Sequence, residues 1–452
     1  RLLQANAASP ADRTIVNDTQ TELHELSTWP EWRAAEHKQL DRFNLRGMHS
    51  KPRPPPATGD GVVIHPMWSY AIKTSGERRS RRCGDGSARR APDLRSLAKT
   101  YSSCVSQTGE RLFMALAAKL NYTIWKGDVR DAYAHSPGPE TPTFIRICDQ
   151  FADWYQARKG HAVNRSHVIP LLRALQGHPE AGRLWEDHIN KILLSPAFGF
   201  TNTTHEQNIY QAVIDGVKVL LLRQVDDFLL ATPDPAIADD LYQRIGAALQ
   251  QPDEKDIPFV NEGIATEFNG VDVKQTRDYI QLSSESYIHR LLKTHGWDTP
   301  VEDSSPPREP LPHDSYNVLF TSVGPVEGSP EANALATEFG YTYRGLLGEL
   351  MFPYVTTRID IGLALTMLSK FSTAPSRIHF ISLKRVAKYP RRTADWGLIY
   401  WRPIPHPDLP SVPILPVPDN LYPDDLPLYP ETADFLEPFA VIDASHANDL
   451  RT

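Results

Sequence analysis

The sequence predicts an α+β fold in which helices alternate with strands, two of the strands joined as a hairpin. Three observations predict it: helical periodicity over 106–121, 179–194 and 234–251, apolar runs of strand length between those stretches, and an acidic turn that joins two of the runs as a hairpin. With 452 residues the chain is about three times a typical domain, which argues for several packed units. A 40% hydrophobic and 23% charged composition can bury at least one large core.

In order, 106–121 (SQTGERLFMALAAKLN) places Leu112, Phe113, Leu116, Ala117 and Leu120 on one helical face, and the strand TIWKGD follows, closed by Asp128. A second helix starts at Pro179, with Glu180 in its first turn, and puts Leu184, Trp185, Ile189, Ile192 and Leu193 at helical spacing. The runs VKVLLLRQ (217–224) and FLLAT (228–232) read as a buried hairpin whose tip is Val225, Asp226 and Asp227. Asp234-Pro235 then opens a third helix, with Ile237, Leu241, Ile245 and Leu249 recurring every four residues.

Composition also excludes classes. No stretch approaches the roughly 18 consecutive apolar residues of a spanning helix, so no membrane is expected. The N-terminus lacks both Met and a basic-then-apolar leader pattern, and the chain reads as an excerpt of a longer one. Cys83, Cys104 and Cys148 are odd in number, with no CxxC pair, which favours free thiols in a reducing compartment. The histidines have no short paired spacing with cysteine, so a zinc site is disfavoured. No GxGxxG, P-loop or nucleophile-elbow motif is present.

The formal net charge of −7 argues against a globally basic nucleic-acid binder, yet residues 73–99 hold nine cations against three acids, a local patch that the sum hides. Residues 402–440 hold eleven prolines, seven acids and one Arg, the composition of an extended linker. Asp226 and Asp227 lie 98 and 99 residues after Asp128. An isolated Asp-Asp pair is most often a polar turn. Carboxylates on the ends of two adjacent strands, however, can hold two divalent cations about 4 Å apart and drive in-line displacement at phosphorus.

That context carries a resemblance to the reverse transcriptase of copia-type LTR retrotransposons. GDVRDAYAHSP (127–137), LLRALQGHPEAGRLW (171–185) and LLLRQVDDFLLAT (220–232) resemble that family's three catalytic blocks in order. EFNGVDVKQTRDYIQLSSESYIHRLLKTHGW (267–297), YRGLLGELMFPYVTTRIDIGLALTMLSKF (343–371) and HFISLKRVAKY (379–389) resemble its downstream blocks, so the likeness covers roughly residues 30–400. PFAVIDASHANDLRT (438–452) resembles the opening strand of a ribonuclease H domain, with Asp443 as its first acid; one of the several site carboxylates that such a domain needs predicts no independent ribonuclease H activity.

The resemblance implies a right-hand polymerase of fingers, palm and thumb, whose α+β palm is an antiparallel sheet backed by helices, followed by a connection region. Its expected parts are an N-terminal tail (1–29), fingers (30–105), palm (106–260), a thumb-like segment (261–300), a linker (301–340), a connection region (341–401), a Pro-rich acidic linker (402–438) and a truncated ribonuclease H start (439–452). It implies Asp128, Asp226 and Asp227 as catalytic acids, holding two Mg²⁺ (Mn²⁺ as an alternative) with the carbonyl of Val129. It implies Lys73 and Arg81 on the triphosphate of a dNTP, Tyr133 beneath the sugar as a barrier to a 2′-hydroxyl, and Gln176-Gly177 beside the nucleotide. The partners implied are an RNA or DNA template with its primer, gripped by backbone charge; the location is intracellular, in a cytoplasmic particle, the nucleus or both; the oligomeric state stays open. Gln224 stands where the family has Tyr in its third block, and Glu180 where Gln is common. Two other outcomes stand beside the polymerase: a decayed fragment that keeps the fold and nucleic-acid affinity, and a metal-dependent nuclease using the same acids.

Overall fold

The computed structural model describes residues 29–73, 75–94, 97–252, 254–255, 257–298, 307–312 and 314–412, with the backbone alone at 13–16, 73, 93, 97 and 98. The stretches 1–12, 413–438 and 439–452, and with them Asp443, lie outside the described residues. The chain divides into two compact units, 1–117 with 122–265, and 118–121 with 266–452.

The strands of the first unit are β1 (Arg13–Val16), β2 (Val62–Ile64), β3 (Pro66–Lys73), β4 (Arg78–Gly84), β5 (Thr123–Val129), β6 (Thr143–Arg146), β7 (Val168–Pro170), β8 (Thr201–Asn202), β9 (Ile209–Ile214), β10 (Val217–Gln224), β11 (Asp227–Thr232) and β12 (Phe259–Ile264). Its longer helices are α1 (Trp29–Leu45), α2 (Gln107–Lys119), α3 (Asp149–Lys159), α4 (Ala181–Leu193) and α5 (Pro235–Leu249). Six strands form one antiparallel sheet in the order β12-β5-β11-β10-β9-β8. Trp185, Ile189 and Leu193 of α4 and Ile237, Leu241, Tyr242 and Ile245 of α5 pack on Val219, Leu221, Phe228 and Leu230 of that sheet. Leu220, Leu222 and Leu229, which point to its other face, are buried as well. Burial on both faces is why 217–232 reads as continuous apolar runs instead of an alternation. Asp234 caps α5 by accepting from the Ala236 N–H, with Pro235 in the first turn.

Two three-stranded sheets complete the unit. One has the order β1-β3-β4; in the other β2 pairs parallel with β6, which pairs antiparallel with β7. Trp32 of α1 meets Tyr70 of β3 edge-on at 5.6 Å.

The second unit holds β13 (Glu267–Phe268), β14 (Val271–Gln275), β15 (Tyr279–Ser283) and β16 (Gly397–Trp401) in one antiparallel sheet of that order. Its helices are α6 (Glu285–Thr294), α7 (Ser315–Thr321), α8 (Pro330–Phe339), α9 (Tyr343–Thr356), α10 (Gly362–Ser369) and α11 (Arg377–Lys388). One core joins Ile288 and Leu292 to Leu346, Leu350, Leu365, Phe380 and Leu383, so the segments expected as thumb-like and connection share a single interior.

Three expectations are corrected here. The buried stripe of α2 is Phe113, Met114, Ala117 and Ala118, while Leu112 and Leu120 face solvent. Two apolar stripes overlap on that helix, and packing against the rest of the unit selects the one rotated by a residue. The stretch 301–340, expected as a linker, contains α7 and α8; Ser329 caps α8 through the Ala332 N–H with Pro330 at its start, and Leu319 and Phe320 enter the core. Residues 402–412, expected within the Pro-rich linker, are packed: the Arg402 N–H donates to Asp278 O and the Arg277 N–H to Pro410 O, and Leu409 is buried. Backbone hydrogen bonds hold the proline-rich chain beside the sheet there.

Candidate active site

The first unit carries a cleft of about 480 Å³ lined by β4, the ends of β5, β11 and β12, α1, and the loops after β5 and β7. Eight cationic side chains line it against six acidic ones, so the cleft is net positive on a chain that is net negative. That excess suits a polyanion carrying bound cations.

The carboxylates come from the sheet register. Asp227 is the direct cross-strand partner of Asp128, and also pairs with Gln224, which leaves Val225 and Asp226 as a two-residue turn. Directly opposed residues stand about 4.5–5.5 Å apart and share a face. The Val129 N–H donates to Asp226 O at 2.9 Å, which ties the turn to β5. Val225 has φ 56°, left-handed backbone that a β-branched residue adopts at a cost on the order of 1–3 kcal/mol. The Trp185 indole N–H donates to Val225 O at 2.6 Å and braces that conformation from α4. Gly127, next to Asp128, is required by packing, since a Cβ there would lie 2.3 Å from Phe259 Cε1.

Burial, and then the charge of Asp226, push the Asp128 carboxyl up to about 6, with Glu262 adding to the shift. Asp226 is also raised, by burial, while Arg81 and Arg79 pull the other way. Three residues along, Asp131 behaves oppositely: burial raises it, but Arg42 and Arg46 outweigh burial and hold it below the usual carboxylate range. Among the described residues, no three His, Cys, Asp or Glu side chains stand close enough to form a ready metal centre.

The remaining expected site residues divide. Arg81 lines the cleft together with Arg79, two residues away on the same face of β4. Tyr133 lies on a one-turn helix, Ala132–His135, and Tyr133, Gln176 and Val129 all line the cleft. Lys73 ends β3, and its side chain lies outside the described residues. Gly177 does not line the cleft: its φ of 85° and a Cβ position 2.3 Å from Gly84 O show that it permits the approach of β4, where the Gly84 N–H donates to Gln176 O at 2.8 Å. The Gln224 amide oxygen accepts from the Val105 N–H at 3.0 Å.

Sequence reasoning missed Arg42 and Arg46, and read Trp185 only as an apolar position of its helix, not as the brace of the turn. The two arginines sit at i and i+4 near the end of α1, a spacing that marks one helical face but names no partner.

Acids at adjoining strand ends inside a net cationic cleft are an arrangement suited to phosphate chemistry. The sequence pattern of the reverse transcriptase (RNA-dependent DNA polymerase) family matches residues 60–305, more than half of the chain, and the chain belongs to that family. It is 23% identical over 360 residues to the retrovirus-related Pol polyprotein from transposon RE1 of Arabidopsis thaliana, covering 78% of this chain and 22% of the relative. It is 28% identical over 239 residues to the putative transposon Ty5-1 protein YCL074W of Saccharomyces cerevisiae, covering 52% and 69%. It is 25% identical over 296 residues to the Pol polyprotein from transposon TNT 1-94 of Nicotiana tabacum, covering 65% and 20%. The resemblance to copia-type retrotransposon polymerases is thereby borne out, and the chain spans about a fifth of the length of the RE1 and TNT 1-94 polyproteins. No helix among the described residues is long and apolar enough to cross a membrane.

Proposed function

We propose that this chain is the nucleotidyl-transfer unit of an RNA-directed DNA polymerase, adding dNTPs to a primer 3′-hydroxyl on an RNA or DNA template. One observation carries the reading: Asp128 and Asp226, at adjoining strand ends in a net cationic cleft, are both raised by burial, and Asp226 raises Asp128 further. A divalent cation would relieve that crowding, and oxygen donors of this kind suit Mg²⁺ or Mn²⁺. The donors would be Asp128, Asp226, Asp227 and the Val129 carbonyl. When bound, two such ions supply activation of the attacking hydroxyl and neutralisation of the departing pyrophosphate.

The chain's own residues do the rest. Arg81, with Arg79 beside it and Lys73 at the end of the neighbouring strand, would hold the triphosphate, Arg as a planar fork and Lys as a point charge. Tyr133 would lie beneath the sugar and exclude a 2′-hydroxyl, and the Gln176 amide would bond the sugar or base. Positioning and electrostatics supply most of the rate. Other arginines of the 73–99 patch, such as the exposed Arg89 and Arg90, would contact template phosphates without reading sequence, while Arg82 is buried beside Phe151. As part of a longer polyprotein, the unit would work inside the cell, in a cytoplasmic particle or the nucleus.

Gln224 favours a second reading, a relic that keeps the fold and binds nucleic acid without extending a primer. Its amide is bonded to Val105, and no aromatic ring stands in its place. Primer extension with Mg²⁺ separates the two. The polymerase lengthens the primer, and Asp226→Ala lowers that rate by at least about a thousandfold with template binding intact. Binding without extension by the natural chain would establish the relic, and shortening of the labelled strand would establish a nuclease.

A further inference from the structure

Tyr133 sits on a short turn that is clamped at both ends. Asp131, which precedes the turn, has φ 53° in left-handed backbone, and its carbonyl accepts from the Ala134 N–H at 2.8 Å. Its carboxylate is held by Arg42 at 2.5 Å and by the Arg46 Nη1. Arg46 is only 5% exposed, and the rest of its guanidinium reaches Glu254 Oε1, at 2.9 Å from Nη2 and 3.1 Å from Nε. At the other end, His135 is fully buried, its ring nitrogens 3.1 Å from Leu249 O and 3.1 Å from Arg130 O. Leu249 ends α5, and Glu254 lies in the loop just after it. Both clamps therefore run to the same place, the C-terminal end of α5.

A buried arginine shared between two carboxylates is held by its planar fork in a way that a lysine cannot reproduce. Such a geometric restraint fixes the position of the turn, and with it that of Tyr133, which lines the cleft while packing on Ala174, Ala181 and Leu184. Steric rejection of one hydroxyl depends on that position.

We propose that Arg46, bridging Asp131 and Glu254, is a positioning residue for sugar selection, setting the Tyr133 ring against the 2′-position of the incoming nucleotide. This rests on the polymerase reading for the identity of the nucleotide. Arg46 itself touches no substrate; it acts through Asp131.

The test compares dGTP with GTP in two ways: as the ratio of kcat/KM in primer extension, and as the ratio of equilibrium affinities, which needs no chemistry. Arg46→Met should cut the preference for dGTP by about tenfold, and Arg46→Lys should retain part of it, because lysine can hold one acid but not both. Binding of inorganic triphosphate should stay unchanged, since the β4 arginines are untouched. Glu254→Gln, which keeps shape and loses one charge, should show a smaller loss and keeps the test decisive where Arg46→Met fails to fold. An unchanged preference in folded Arg46→Lys and Glu254→Gln overturns the proposal and leaves Arg46 as a strut. A natural chain that prefers dGTP in binding but extends no primer overturns the polymerase reading instead, while loss of that binding preference in the variants still upholds the role of Arg46.

Discussion

Asp128 and Asp131 are three residues apart at the end of one strand, line one cleft and are both half-buried, yet they are treated in opposite ways. Asp131 is neutralised by Arg42 and Arg46 and is structural in its electrostatics. Asp128 faces Asp226 across the turn, and its carboxyl rises to about 6. The arginines ion-paired with Asp131 outweigh its burial, whereas the cations near Asp128 and Asp226, namely Arg79, Arg81 and Lys126, do not outweigh theirs. Crowded, desolvated acids beside a satisfied one are a mark of a working site.

Breaking the satisfied side should have the largest effect on stability. Asp131→Ala leaves Arg46 buried with only Glu254 and should cost about 3–5 kcal/mol, read from the denaturant midpoint at pH 7. That loss should shrink on acidification, because a depressed carboxylate contributes stability above its unfolded pKa and loses it as pH falls through the folded one.

The crowded side should give the opposite sign. With the Asp128 carboxyl raised from 3.8 to about 6, its proton stabilises the fold below pH 4, and that contribution disappears as pH rises through 6. Asp128→Asn should therefore stabilise the metal-free protein above pH 6 by up to about 2–3 kcal/mol and change little below pH 4. Thermal unfolding from about pH 2 to pH 8 checks both profiles, and parallel slopes for the two variants would abolish the contrast.

The smallest effect belongs to the turn's flank. Gln224→Ala removes the acceptor of the Val105 N–H and should cost about 1 kcal/mol, read as a shift in thermal midpoint, with the carboxylate pair unaffected.

What was legible in the sequence follows the range of the interactions. The hairpin at 217–232 was readable because strand-length apolar runs and a two-acid tip are local signals, and α5 because Asp234-Pro235 and the four-residue recurrence are local too. The juxtaposition of Asp128 with Asp227 depended on pairing across about a hundred residues, and only the family blocks made it expected. The Arg46–Asp131–Glu254 bridge left no sequence signal, since its members are separated by 85 and 208 residues from Arg46 and each looks like an ordinary surface charge. The face of α2 was misread because two apolar stripes overlap, and α7 and α8 were hidden by a Pro-, Ser- and acid-rich composition that equally suits caps and linkers.

If the crowded carboxylates at the ends of β5 and β11 receive divalent cations, Mn²⁺ titration followed by electron paramagnetic resonance shows it most directly. With primed template and dNTP present, the natural chain should bind two ions, and Asp226→Asn should lose them while keeping the fold and template affinity. Equal Mn²⁺ binding by the natural chain and Asp226→Asn would contradict the account.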